Sequence, residues 1–284
     1  MRSNVINAFL VLTLCACAFP ADNSAGEPPA CCKALSSDPD AHACPDRAFA
    51  LFLPRTIAPH SFLLTIEHRT SAPAFDHPFR DFLGFDNGGL KIGLGFRFSP
   101  VNNLDVGLRR FNNVFEPWDT YEFDGRYQFL NEEKHWIDCA VMGGATWFYQ
   151  TTGQDASGFY GAALAGRSFW DQCYLSSGIL FHTKSTYMTK TVAEKSASVA
   201  VPVSVIVPTP IGLNLLAESF IPLSGYYSAG KPSWTAGLKY ATYHHTFSLL
   251  FSTTQYTSFD GAVTGSDHSN KPGAGFMITR KFGG

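Results

Sequence analysis

The chain has 284 residues and a formal charge of −2, so no electrostatic argument points to nucleic acid as a partner. Aromatic residues make up 14% and charged residues only 15%, where a soluble domain usually carries about 25% charged residues. That balance argues against an ordinary soluble domain, and the length suits one closed β structure.

The first residues read as an export signal. Arg2 gives a positive start, an apolar run follows from Ala8 to Leu14, and Ala16-Cys17-Ala18 has the small-x-small form that signal peptidase accepts. The apolar run is too short to span a bilayer as a helix, which takes about 20 residues. Three processing routes are open: simple cleavage, lipidation at Cys17 within Leu14-Cys15-Ala16-Cys17, or an uncleaved anchor. The boundaries that follow are residues 1–18 as signal peptide, 19–58 as a periplasmic N-terminal tail, and 59–284 as a barrel. The tail is rich in Pro, Ala, Ser and Asp, with a short helix expected around Asp46 to Leu53. Export permits a disulfide there, from Cys44 to Cys31 or Cys32. Cys-Cys-x11-Cys with His42 nearby matches no standard zinc spacing, so no metal is expected.

From His60 onward the pattern has period two. In Leu90-Lys91-Ile92-Gly93-Leu94-Gly95-Phe96-Arg97-Phe98 every even position is a large apolar residue and every odd one is Lys, Gly or Arg. A strand with one face in lipid and the other on a polar lumen requires this alternation. Leu104, Val106 and Leu108 repeat it against Asp105, Gly107 and Arg109, as do Tyr121, Phe123, Tyr127 and Phe129 against Glu122, Asp124, Arg126 and Gln128. The spacing predicts twelve strands near 60–70, 89–99, 103–112, 119–130, 135–150, 159–169, 173–185, 197–208, 212–221, 233–242, 246–256 and 273–282. Short connections, such as Pro100-Val101-Asn102 and Trp170-Asp171-Gln172, alternate with longer ones near 71–88, 113–118, 151–158, 186–196, 222–232 and 257–272. That asymmetry marks the periplasmic and extracellular ends of an outer-membrane barrel. The fold class is therefore all-β: a closed up-and-down antiparallel transmembrane β-barrel of about twelve strands, in the cell outer membrane of a Gram-negative envelope. The last strand ends on an aromatic, Phe282, before two glycines.

Lumen-lining candidates follow from the polar face. The positive ones are Arg69, Lys91, Arg97, Arg109, Arg126, Arg167, Lys184 and Lys239; the negative ones are Glu67, Asp105, Glu122, Asp124, Asp138 and Glu218. Hairpin spacing sets Arg97 opposite Asp105, Arg126 near Asp138 and Arg109 near Asp124. A lining of mixed sign names no solute charge.

Catalytic signatures are poor. His60-Ser61 and His268-Ser269 are the nearest Ser/His neighbours, and neither comes with an orienting residue and oxyanion donor. His244-His245 are adjacent, so on a strand they point to opposite faces. No cofactor motif is present, and no enzyme is expected.

His60-Ser61 through Glu67-His68-Arg69, Leu83-Gly84-Phe85-Asp86-Asn87, Lys91-Ile92-Gly93-Leu94-Gly95, Asn103 to Arg109 and Asp124-Gly125-Arg126-Tyr127 resemble a bacterial outer-membrane β-barrel family catalogued as a domain of unknown function. The resemblance covers roughly residues 58–282. The family has an aromatic after the His-Arg pair where this chain has Thr70. It implies a barrel and brings no activity. The expected function is a small channel or binding barrel whose partners are outer-membrane lipid and an unidentified small solute. The alternatives are a structural or surface-interaction barrel acting through its long loops, 71–88 and 257–272 above all, and an outer-membrane lipase-type enzyme. Oligomeric state is not legible.

Overall fold

A computed structural model describes residues 46–70, 73–75, 90–112, 118–150, 155–169, 173–184, 197–209, 213–225, 231–242, 244–266 and 271–283. Residues 1–18, expected to be the signal peptide, and Cys31, Cys32 and Cys44, the expected disulfide partners, lie outside them, as does His268-Ser269. Twelve strands run β1 (Phe62–Thr70), β2 (Leu90–Val101), β3 (Leu104–Asn112), β4 (Trp118–Leu130), β5 (Asp138–Gln150), β6 (Ala156–Phe169), β7 (Cys173–Thr183), β8 (Ala197–Pro208), β9 (Leu213–Ser224), β10 (Ser233–Ala241), β11 (His245–Ser252) and β12 (Gly273–Phe282). Each pairs antiparallel with its neighbours in sequence, and β12 closes on β1 with Ile66 opposite Ile278. Closure leaves no edge, so every strand amide in the wall has a partner without water.

The period-two pattern becomes two faces. In β2, Ile92, Leu94 and Phe98 are 37%, 37% and 41% exposed, while Arg97 is 4% exposed and Gly93 and Ser99 are buried. Apolar side chains outside and charges inside is the arrangement of a barrel whose solvent is lipid; water outside would leave a continuous greasy surface. The tightest hairpin joins β2 to β3, where Asn103 takes φ 64°, a left-handed conformation asparagine tolerates.

Two segments depart from expectation. Residues 46–57 do not form a helix in an outlying tail. They enter the lumen as a tight loop with an antiparallel bridge between Arg47 and Phe52, closed by Ala48 N–H on the Leu51 carbonyl (2.8 Å) and Leu53 N–H on the Asp46 carbonyl (3.0 Å). At the other end β11 stops at Ser252 instead of continuing to 256, and Thr253–Ser266, expected in part as an exposed loop, folds inward. That inward stretch carries the single-turn helix α1 (Phe259–Ala262), all four residues of which are buried.

Adjacent glycines on opposite faces test the wall. A Cβ on Gly144 would lie 2.3 Å from the Phe123 carbonyl oxygen and 2.5 Å from the Tyr160 ring, whereas one on Gly143 meets nothing within 4 Å. Gly144→Ala should destabilise the barrel by about 1–3 kcal/mol, as overpacking does. Gly143→Ala should stay within about 0.5 kcal/mol of the parent. Urea unfolding in lipid vesicles measures both, and equal effects would contradict the assigned faces.

Candidate functional site

The lumen has two unlike walls. On β1–β4 it is charged: Glu67, Arg69, Lys91, Arg97, Asp105, Arg109, Glu122, Asp124 and Arg126 all face inward. On β5–β9 it is mostly carbon, with Met142, Leu164, Leu180, Ile206, Leu216 and Phe220 buried. The entering segment fits both walls. Ala50, Leu51 and Phe52 pack with Met142, Tyr160, Leu164, Leu180 and Phe220; Ala48, Phe49 and Leu53 pack with Tyr174, Ile206, Leu216, Leu250 and Met277. Burying a Phe or Leu side chain is worth about 1.5–3 kcal/mol.

Charged side chains hold this plug by its main chain. The Glu218 carboxylate accepts from the N–H groups of Phe49, Ala50 and Leu51 at 3.0–3.1 Å. Successive main-chain N–H groups in a tight loop make a concavity suited to an anion. Lys239 Nζ donates to the carbonyls of Arg47 and Ala48, both at 2.8 Å. Arg126 Nη1 donates to the carbonyls of Asp46 and Leu53 at 2.9 and 2.6 Å, and its Nη2 to Asp105 at 2.6 Å. Three side chains from three strands thus converge on one turn of chain and satisfy the amides of Phe49, Ala50 and Leu51 and the carbonyls of Asp46, Arg47, Ala48 and Leu53.

Where the plug leaves toward the short-turn rim, the contacts continue. Arg55 donates to Asp138 (2.5 Å) and Glu132 (2.6 Å), Gln128 accepts from the Thr56 amide (3.2 Å), and Asp105 accepts from the Ile57 amide (3.2 Å). Glu132 sits in the β4–β5 turn; burial raises its carboxyl above the usual range, while the Ser168 amide and Arg55 pull it down. On the plug's other flank Phe52 lies under a cationic cluster, with the guanidiniums of Arg97, Arg126 and Arg109 at 4.1, 5.3 and 4.9 Å from its ring centre. Phe259 of α1 descends from the opposite end to 5.7 Å from the same ring, and its amide donates to Glu122 at 2.7 Å. Plug and inward loop therefore meet mid-lumen. The β11–β12 loop is itself tied down, since Arg69 donates to the Thr254 and Tyr256 carbonyls at 3.4 Å and Lys91 Nζ lies 4.2 Å over the Tyr256 ring.

Of the expected lumen residues, Arg69, Lys91, Arg97, Asp105, Arg109, Glu122, Asp124, Arg126, Asp138, Glu218 and Lys239 face inward, as does Glu67. Arg167 does not. It stands on the outer face of β6 beside the rings of Trp136 and Phe169, at 5.4 and 5.8 Å, where a long cation beside aromatics reaches the headgroup level. Lys184 lies past the end of β7 with φ 53° and is exposed. One of the three expected ion pairs forms, Arg97 with Asp105. The other two shift by register. Arg109 stands opposite Glu122 and bridges it at 2.5 Å, leaving Asp124 to Arg97, also at 2.5 Å. A bulge at Gln128/Leu130 and the long 131–137 turn put Met142 opposite Arg126, so Asp138 takes Arg55 and Arg126 takes Asp105. The plug itself was missed. Its most direct signal is the run Ala48-Phe49-Ala50-Leu51-Phe52-Leu53, too apolar to lie in water.

The architecture is that of a closed membrane β-barrel, plugged by its own chain. The protein belongs to the DUF5777 family, described as a membrane-bound β-barrel domain, whose family model matches residues 55–282. No curated protein matches the chain. Among solved structures it is similar to the outer membrane phospholipase A of Escherichia coli, at 11% identity and a TM-score of 0.43 over 80% of this chain and 92% of that one. It is also similar to the calcium-bound Salmonella typhi outer membrane phospholipase dimer, at 10% identity and 0.46 over 90% and 97%. Salmonella typhi OmpF, in complex with daunomycin, matches at 8% identity and 0.36 over 78% and 96%.

The grip of Glu218 is the most testable contact. Glu218→Ala strips the acceptor from three buried amides, each costing about 1–3 kcal/mol when left unmet. The plug should then open locally while the barrel stays folded. Limited proteolysis should show new cleavage within 46–57 with heat-modifiable migration unchanged; a plug as resistant as the parent's would contradict the contact.

Proposed function

We propose that the protein is a self-plugged channel of the outer membrane, exported by its N-terminal signal and inserted with its short turns toward the periplasm. Its passage for a small solute is shut by residues 46–57 and opens when they leave. The observation that carries this reading is the mode of holding. Glu218, Lys239 and Arg126 bind the plug through its main chain, and water can replace a main-chain partner for each of them. The charged wall on β1–β4 is likewise one that water can wet, as a conducting lumen requires.

A second reading has its own observation. The wall of Leu164, Leu180, Ile206, Leu216 and Phe220 is packed against the plug as a core is, which favours a permanently filled barrel with a structural or surface role. We read the protein as non-enzymatic in either case. What supports that reading is Ser61, which is fully buried with no hydrogen-bond partner for its hydroxyl among the described residues.

Planar-bilayer recordings separate the two. The full chain should be silent, and Glu218→Ala combined with Lys239→Met should show conductance steps. Steady current through the parent would contradict the plug. A silent double variant whose plug is cut by protease would remove the channel reading and leave the filled barrel.

A further inference from the structure

The outer wall carries a depression that neither the plug nor the lumen accounts for. It is a groove of about 490 Å³ lined mainly by Phe62, Phe96, Phe98, Val106, Leu108 and Phe123, with Arg97, Gly107 and Asp124 also touching it from the wall behind, within the roughly 300–1,000 Å³ typical of small-molecule sites. Gly143 also lines it and stands opposite Gly125, with Gly161 next in the same row. Glycine inside a strand weakens it and often marks close approach by another group. Many lumen-facing glycines have an evident cause, because a Cβ there would collide: Gly93, Gly144 and Gly178 each meet atoms at 2.5 Å or less. Gly125 and Gly143 have no such cause, since added Cβ atoms would meet nothing within 4 Å.

The register gives the groove a direction. The row Phe282, Phe62, Phe98, Val106, Gly125, Gly143 crosses six neighbouring strands. Phe282 and Phe62 are the last and first residues of their strands at the short-turn rim, while Gly125 and Gly143 lie five residues inside theirs. The row therefore climbs from the rim toward the middle of the wall. At its foot the rings of Phe62 and Phe282 are 5.8 Å apart, Phe62 and Phe96 are also 5.8 Å apart, and the Arg280 guanidinium lies 4.8 Å over Phe282. Arg280 is exposed on the outer face, with no ion pair among the described residues.

We infer that this groove is a binding site for one glycerophospholipid of the adjacent leaflet, with an acyl chain along the Phe62–Gly143 groove and its phosphate on Arg280. The chemistry matches at both ends. An aromatic-walled depression facing hydrocarbon takes a flexible chain, and a guanidinium at the rim takes a phosphate oxygen pair in a fork geometry. The glycines supply the depth.

The test uses the full chain reconstituted in vesicles of phosphatidylcholine with phosphatidylglycerol, extracted in mild detergent and weighed by native mass spectrometry. The parent should retain one phosphatidylglycerol per barrel. Gly125→Leu with Gly143→Leu, which fills open space, should lower that fraction about tenfold with heat-modifiable migration unchanged. Arg280→Gln, a rim change outside the groove, should lower it about tenfold through the lost charged hydrogen bonds and erase the preference for the anionic lipid. Native-level retention in either variant overturns the proposal. So does a dimer in the parent that the filled groove abolishes, which would assign this face to a second copy.

Discussion

The charges inside this barrel have to be met by something, and what meets them is main chain. Glu218, Lys239 and Arg126 come from β9, β10 and β4, and each reaches the same short turn of residues 46–53. An isolated buried charge is very costly, and a buried polar group without a partner costs a few kcal/mol. The plug and the wall therefore solve one another's problem. Loop amides with no strand to pair with receive a carboxylate, and the inward cations receive carbonyls. Take away either and the other is left stranded. The remaining charges close among themselves in a chain from Arg126 through Asp105 and Arg97 to Asp124, with Arg109 and Glu122 alongside.

How much of this could be read in the sequence depends on which physical rule governed each part. Strand number, hairpin order and the two faces of β2 were legible because a residue at a membrane wall has only two directions to point, and lipid rewards one of them. Register at the hairpins was less so. At the β2–β3 hairpin Arg97 stands opposite Gly107 and reaches Asp105 on the diagonal, whereas the bulge at Gln128/Leu130 moves Arg126 away from Asp138. Arg167 misleads because its charge suggests the lumen, whereas the alternation of β6, with Phe159 outside, places it on the outer face beside Trp136.

The plug was hidden for a different reason. A tertiary contact between residue 49 and residue 218 leaves no periodicity. It does leave compositional traces. Ala48 to Leu53 is apolar where a tail in water has nothing to bury it, and β8 and β9 carry apolar residues on both faces, Val203 and Val205 outside with Ile206 and Leu216 inside. Large apolar side chains on the inner face need a dry neighbour just as those on the outer face do. In a barrel one of those sides is lipid, so the other requires something within the lumen. The two traces together would have pointed to a filled interior.

The two-walled lumen also decides what opening would demand. If residues 46–57 withdrew, Glu218, Lys239 and Arg126 would exchange main chain for water at modest net cost, since a hydrogen bond moved from protein to solvent changes free energy by only about 0.5–1.5 kcal/mol. The wall of Leu164, Leu180, Ile206, Leu216 and Phe220 has no such exchange. Removing Phe49, Leu51, Phe52 and Leu53 from it forfeits about 1.5–3 kcal/mol for each side chain, and Phe259 would lose its tilted ring contact with Phe52. Spontaneous opening is thus rare, and an open state would need an agent to offset that loss. It would have to pull the segment out of the lumen, or occupy the apolar wall once it is bared. The charged wall sets how a solute would pass, and the apolar wall sets how seldom it could.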